Sequence, residues 1–201
     1  MTKALIFDFD GTLVQSNFLK KNTFLRLLNK YKNEEFLKKL LEQKLPREKL
    51  FLEFFRKVGM TSDDIKKNAD LYTKKYNHLV DSKIVDMEPI NGVYELFSLG
   101  FKSFINSATP EENIKNIISA KGWDIHFTNV YGSPLSKEEN FKKMRKEYSL
   151  YNHEIYVIGD GRDDEEYALS LSLNFLPVGS YCDSKGNNPF SLIEIYEILS
   201  K

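Results

Sequence analysis

The chain has 201 residues, enough for one full domain with a sizeable insertion, and its 41% hydrophobic content, including 15 phenylalanines, provides for a real core. Basic and acidic residues balance at 29 each, so the net charge is zero and no nucleic-acid partner is expected. One cysteine, Cys182, excludes an internal disulfide framework, and with no apolar run near the ~20 residues of a membrane span and no signal-peptide pattern a soluble, cytoplasmic protein without a membrane partner is expected.

The first element is the run Ala4-Leu5-Ile6-Phe7, which ends abruptly in Asp8-Phe9-Asp10-Gly11-Thr12. Four continuous apolar residues predict a strand buried on both faces, as in the middle of a parallel sheet. Asp8 and Asp10 then sit at its carboxyl end, where open α/β sheets place their chemistry. Two carboxylates so close repel each other, which points to a cation, a shared proton, or both. A plain Asp-Gly turn with a capping Thr12 would account for the glycine and one aspartate. An EF-hand is excluded, because Thr12 and Leu13 stand where that loop needs an oxygen ligand and its glycine.

Helical spacing follows for about seventy residues. Ser16 is placed to cap a first helix carrying Phe18, Leu19, Phe24, Leu25, Leu27 and Leu28, and Asn33 starts a second with Phe36, Leu37, Leu40 and Leu41. Pro46 fits the first helical position of a third, bearing Leu50, Phe51, Phe54, Phe55 and Val58 and stopped by Gly59. Residues 61–64 offer caps for a fourth, running towards Tyr76. Residues 20–80 hold 16 Lys and Arg against 8 Asp and Glu, so the neutral total conceals a basic insertion beside an acidic remainder. That asymmetry suits attraction of anions or docking of the two parts, although solvated helix faces explain most such lysines.

Alternation of strand and helix resumes near Pro89: a helix over 90–99 ending at Gly100, a strand over 101–105, and a helix opened by Pro110 and closed by Gly122. A strand around Val130, a helix from Ser136 towards Tyr148, and a strand over 155–158 running into Gly159-Asp160-Gly161 come next. A helix through Tyr167-Ala168-Leu169, a strand over 175–178 and a terminal helix from Phe190 complete the chain. This pattern predicts an α/β fold, a doubly wound parallel Rossmann-like sheet over residues 1–14 and 88–201, with a smaller all-helical domain over 15–87. His78, His126 and His153 lack ligand spacing, so no zinc site is expected. Trp123 reads as core, and Tyr72, Tyr76 and Arg56 as ordinary packing and solvation.

Four strand ends carry polar residues: Asp8 with Asp10, Ser107 with Thr109, the segment before Lys137, and Asp160 with Asp163 and Asp164. Their order and types resemble the haloacid dehalogenase superfamily of phosphotransferases over the whole chain. Its Asp-x-Asp-Gly-Thr motif matches residues 8–12, its Ser or Thr after an apolar strand Ser107, its lone Lys at a helix start Lys137, and its Gly-Asp with a later Asp the run 159–164. A helical cap inserted after the first motif is a known arrangement of that family.

The resemblance implies a Mg²⁺-dependent phosphatase acting on a small phosphorylated metabolite. Asp8 would be the nucleophile that becomes an aspartyl phosphate, and Asp10 the acid that protonates the leaving oxygen and later deprotonates water. Ser107 and nearby backbone amides, including that of Ala108, would bind phosphoryl oxygens, with Lys137 supplying fixed positive charge. Mg²⁺ would be held by Asp8, Asp160, the backbone carbonyl of Asp10 and an acidic residue at 163 or 164. Asp164 is favoured, because Ala168 follows it by one helical turn, as in the family's usual ending. Gln15 departs from relatives that carry an aspartate near that place, and residues 16–86 show no recognisable specificity signature. Asp10 speaks against a dehalogenase, since a leaving halide needs no proton. A phosphomutase using the same aspartates and a catalytically idle phosphate-binding relative are the alternatives. A signalling receiver module disagrees with the Asp-x-Asp-Gly-Thr run and the large insertion.

Overall fold

In a computed structural model, residues 3–43, 45–181 and 184–201 are described, apart from the side chain of His153. Cys182 lies outside the described residues. The apolar run forms β1 (Ala4–Phe7), buried along its whole length. It pairs in parallel with β2 (Lys102–Pro110) on one side and β4 (Ile155–Gly159) on the other. β3 (Asn129–Ser133) adds beyond β2 and β5 (Asn174–Pro177) beyond β4, giving the order β3-β2-β1-β4-β5. The chain builds outward from β1 in one direction, then crosses back to β4. That reversal between β1 and β4 is the crevice where such sheets bind ligands, at the strands' carboxyl ends.

Chain contacts divide the protein into two units, Met1–Gln15 with Val85–Lys201, and Ser16–Ile84. In the first, both faces of the sheet are covered. Ile6, Phe104 and Val157 pack with Phe141 and Met144 of a helix over Lys137–Tyr148 and with Tyr167 and Ala168 of a helix over Arg162–Ser170. On the opposite face, the Phe7 ring meets Phe97 edge-on at 6.3 Å, and Phe97 in turn meets the buried Trp123. The chain leaves the sheet and returns beside itself. Val14 bridges Pro89, and the Ile90 amide donates to the Leu13 carbonyl at 2.9 Å.

The second unit contains α1 (Asn17–Leu28), α2 (Glu34–Glu42), α3 (Arg47–Lys57) and most of α4 (Ser62–Val85). Its core is aromatic: Phe24 stacks on Tyr76 at 4.1 Å, and Phe51 packs against Phe24, Phe55, Tyr72 and Tyr76. Tyr72 and Tyr76 are both buried, and Arg56 is exposed and paired with Glu53. α5 (Val93–Ser98), α6 (Glu111–Ala120), α7 (Lys137–Tyr148), α8 (Arg162–Ser170) and α9 (Leu192–Leu199) belong to the first unit.

Several local expectations need correction. Ser16 and Asn33 precede their helices but neither side chain caps, and Pro46 stands one residue before α3 instead of inside it. α4 runs nine residues past Tyr76, to Val85. β2 continues through Ser107 and Thr109 to Pro110, and α5 is shorter than the span 90–99, starting after Gly92. Among the described residues, two helix starts carry a full capping box. Ser136 before α7 and Ser191 before α9 each exchange bonds with the glutamate three residues on, satisfying two otherwise orphaned amides. Among the described residues no helix is long and apolar enough to cross a membrane.

Candidate active site

β1 delivers Asp8 to the crevice. Its amide donates to the Ile158 carbonyl at 2.9 Å, so the ladder to β4 continues one residue beyond the strand and fixes that side chain. Gly11 then takes φ of 83°, a left-handed turn that suits glycine, and its amide closes onto the Val14 carbonyl at 2.7 Å. Thr12 is fully buried with no partner for its hydroxyl, so a plain capped turn does not explain this threonine.

β4 ends in Gly159, beyond which Asp160 and the first turn of α8 follow. A Cβ at Gly159 would lie 2.4 Å from Asp164 Cγ, so only glycine lets that carboxylate fold back over the strand end. The result is a cluster in which oxygens of Asp8, Asp160 and Asp164 all lie within 4.8 Å of one another. Asp163, its side chain about half exposed, is not one of the three. Asp10 is also outside the cluster, and its Oδ2 accepts from Thr109 Oγ1 at 2.8 Å.

Lys137 enters from the first turn of α7, a position that disfavours a cation unless anions are near. They are near. Its Nζ lies 3.3 Å from Asp8, 2.7 Å from Asp163 and 2.8 Å from Asp164, and the side chain is only 8% exposed. Burial opposes its charge, but Asp8, Asp164 and Asp163 together hold the ammonium well above its usual pKa. Burial also raises the carboxyl of Asp8, with Lys137 opposing and Asp10 and Asp163 reinforcing. Asp164 is raised further, again chiefly by burial, with Lys137 opposing and Asp8 adding repulsion.

One ammonium among four carboxylates leaves negative charge in surroundings that screen it poorly. The donor set therefore fits a hard divalent cation with oxygen ligands. A second observation agrees: Asp164 Oδ2 is buried without a hydrogen-bond partner, while Oδ1 accepts from Lys137.

Ser107 and Ala108 lie near the end of β2. Ser107 is buried and its Oγ accepts from the Thr109 amide at 3.2 Å, while Ala108 is exposed between two buried neighbours. In the sequence Thr109 stands with Ser107 at one strand end, with nothing to assign it a part. Its bond to Asp10 spans 99 positions, and no spacing rule reveals it.

The sequence pattern of one family, described as haloacid dehalogenase-like hydrolases, matches residues 5–178. A comparison with curated protein sequences gives no match. Among solved structures, the fold is similar to YfnB from Bacillus subtilis, a HAD-hydrolase bound to magnesium, with TM-score 0.75, 17% identity and coverage of 100% of this chain and 99% of that one. A protein described as a phosphatase from Clostridium acetobutylicum gives 0.73, 21%, and full coverage of both chains. A variant of CbbY from Rhodobacter sphaeroides, in complex with xylulose-(1,5)bisphosphate, gives 0.71, 14%, and 93% and 90%. At such identities the likeness speaks for the fold alone. The family match is independent of it and spans nearly all of the first unit's strands together with the helical insertion, so the chain belongs to the haloacid dehalogenase-like hydrolases.

Proposed function

We propose that this hydrolase is a Mg²⁺-dependent phosphatase acting on a small phosphorylated metabolite through an aspartyl-phosphate intermediate. The observation that carries the reading is the meeting of Asp8, Asp160, Asp164 and Lys137 at the reversal of strand order. A phosphoryl group carries negative oxygens that repel a nucleophile, so its site needs an attacking group beside fixed positive charge. Asp8 and Lys137 are such a pair.

Asp8, Asp160 and Asp164 would hold the cation, with the Asp10 carbonyl as a further ligand. When bound, Mg²⁺ neutralises phosphoryl oxygens and orients the group for in-line attack. In the first step a carboxylate oxygen of Asp8 bonds to phosphorus, the ester P–O bond breaks, and Asp10 gives its proton to the departing oxygen. In the second, water attacks the same phosphorus, Asp10 takes its proton, and Asp8 is released with inorganic phosphate. Ser107 Oγ, the Ala108 amide and the Lys137 ammonium would bind the phosphoryl oxygens during both steps, a kind of contact whose loss costs about 10²–10³ in rate. Thr109, through its hydrogen bond to Asp10 Oδ2, would orient that carboxyl for both transfers. The helical unit, inserted where the chain leaves at Val14 and returns at Pro89, is read as the cap that selects the substrate.

The test is a panel of phosphorylated metabolites assayed for inorganic phosphate with Mg²⁺ and with chelator. Hydrolysis should appear with Mg²⁺ and collapse in chelator, and full activity without metal would remove the proposed site. Return of the phosphoryl group to another position on the substrate would make the protein a mutase.

A further inference from the structure

Two asparagines bonded to each other, one of them also to the Lys137 carbonyl, have no part in the chemistry above. Asn106 and Asn140 are both essentially fully buried. Asn140 Nδ2 donates to Asn106 Oδ1 and to the Gly132 carbonyl, each at 3.2 Å, and Asn106 Nδ2 donates to the Lys137 carbonyl at 2.8 Å. The chain of bonds thus joins three elements. Asn106 lies in β2 directly before Ser107, Gly132 is next to last in β3, and Lys137 is the first residue of α7.

A buried amide is tolerated where its polar atoms find partners, and a bonded one fixes direction as well as volume. Two leucines would fill a similar space without tying a carbonyl of α7 to the strand. The capping box at Ser136 and Glu139 fixes the helix start to itself, whereas the asparagine pair fixes it to the sheet. That matters because a lysine carries its charge on a flexible four-carbon stem. Where the ammonium comes to rest among Asp8, Asp163 and Asp164 depends on where the backbone of residue 137 is held.

We infer that Asn106 and Asn140 are positioning residues that lock the start of α7 to β2, so that Lys137 and Ser107 face one phosphoryl group in fixed relation. This rests on reading those two residues as phosphoryl ligands. Misplacement by about 1 Å is enough to cost orders of magnitude in rate. The pair therefore acts through Lys137 and touches no reacting atom itself.

The experiment is a double-mutant cycle with p-nitrophenyl phosphate and Mg²⁺. Asn140→Leu and the smaller Asn140→Ala are each made alone and with Lys137→Met. With Lys137 present, kcat/KM should fall about tenfold, the usual scale for groups that orient an inner ligand. In the Lys137→Met background the same change should cost less than about twofold, because neighbours acting through one group are not additive. A second readout needs no turnover: the ¹⁵N–¹H signal of the Lys137 ammonium, assigned by its loss in Lys137→Met, should shift or broaden in folded Asn140 variants. Equal losses in both backgrounds, or an unmoved ammonium signal, would overturn the inference. Failure of both replacements to fold would make the pair a requirement of the fold and overturn it as well. If the parent protein hydrolyses nothing, the phosphatase reading fails and the ammonium signal alone decides the positioning role.

Discussion

The two units place their charges in opposite ways. In the helical unit, Lys38 pairs with Glu34, Lys39 with Glu35 and Arg56 with Glu53 along helix surfaces open to water, around a core of Phe24, Phe51, Phe54, Phe55 and Tyr76. Such exposed pairs contribute roughly 0.3–0.5 kcal/mol each, and the basic balance of residues 20–80 is carried largely by solvated faces of this kind. At the carboxyl edge of the sheet, Lys137, Asp8 and Asp164 are withdrawn from water, and the charges there do not cancel. Buried ions of unequal number oppose folding. The contrast teaches that apolar packing is gathered in the aromatic cluster, and the candidate chemistry in a group of residues that folding alone would discard.

The sharpest way to break that contrast is Asp8→Asn. Turnover should fall by ~10⁴ or more, as for loss of other nucleophiles, while the metal-free protein melts no lower because one buried like charge is gone. Turnover near the parent level would remove Asp8 from the nucleophile's place. Asp10→Asn should lose about 10²–10⁴, and the loss should shrink for leaving groups of low pKa. A deficit independent of the leaving group would take Asp10 out of the acid role. Phe51→Ala tests the other side of the comparison. It empties a fully buried site and should cost ~3–5 kcal/mol in urea unfolding, more than either aspartate variant. A cost below that of the aspartate variants would mean the aromatic cluster is not where stability resides.

Asp164→Ala should raise the apparent Mg²⁺ constant at least about tenfold and Asp163→Ala much less, because only Asp164 joins the three-carboxylate cluster. The reverse ranking in a Mg²⁺ titration would reassign the ligand. The smallest effect is one of pH. Glu194 accepts from both the amide and the hydroxyl of Ser191, which lowers its pKa below the ordinary glutamate value of about 4.3. A depressed carboxyl contributes stability that is full above the unfolded pKa and is lost as pH falls through the folded one. Glu194→Gln should therefore lower the melting temperature at neutral pH, and the gap should close as the solution is acidified below about pH 4. A gap that persists in acid would place the effect elsewhere than in this charge.

What the sequence shows well is what depends on neighbours along the chain. Ala4 to Phe7 announces a buried strand by continuous apolarity, and Asp8 with Asp160 stand out because carboxylates directly follow such strands. Ser136 and Glu139 reveal the start of α7 by their spacing. The length of α4 was open to view as well, since nothing between Tyr76 and Val85 breaks a helix, but its apolar stripe thins to Val80 and Ile84. β2 outran its apolar run because it pairs with β3 again at Pro110 after a register shift, with Ser107 and Thr109 buried on the way. The contact of Thr109 with Asp10 and the bond between Asn106 and Asn140 have no signature at all. They arise from strand order, which local patterning does not encode.

The place where the chain leaves and rejoins the sheet also orders events in time. Ala4 pairs with Lys102 and Ile155, so β1 is synthesised first and waits longest for its neighbours. Among the described residues, the aromatic contacts of the helical unit lie between residues 24 and 76 and can form meanwhile. With Ile90 bonded to Leu13, an already folded insertion returns the growing chain to β1, and the loop left for β2 to close is short. An insertion that folds first would act as a folding staple, converting a distant strand pairing into a nearby one. Pulsed hydrogen exchange during refolding should find amides of α3 and α4 protected before those of β1, and simultaneous protection would show that the sheet does not wait.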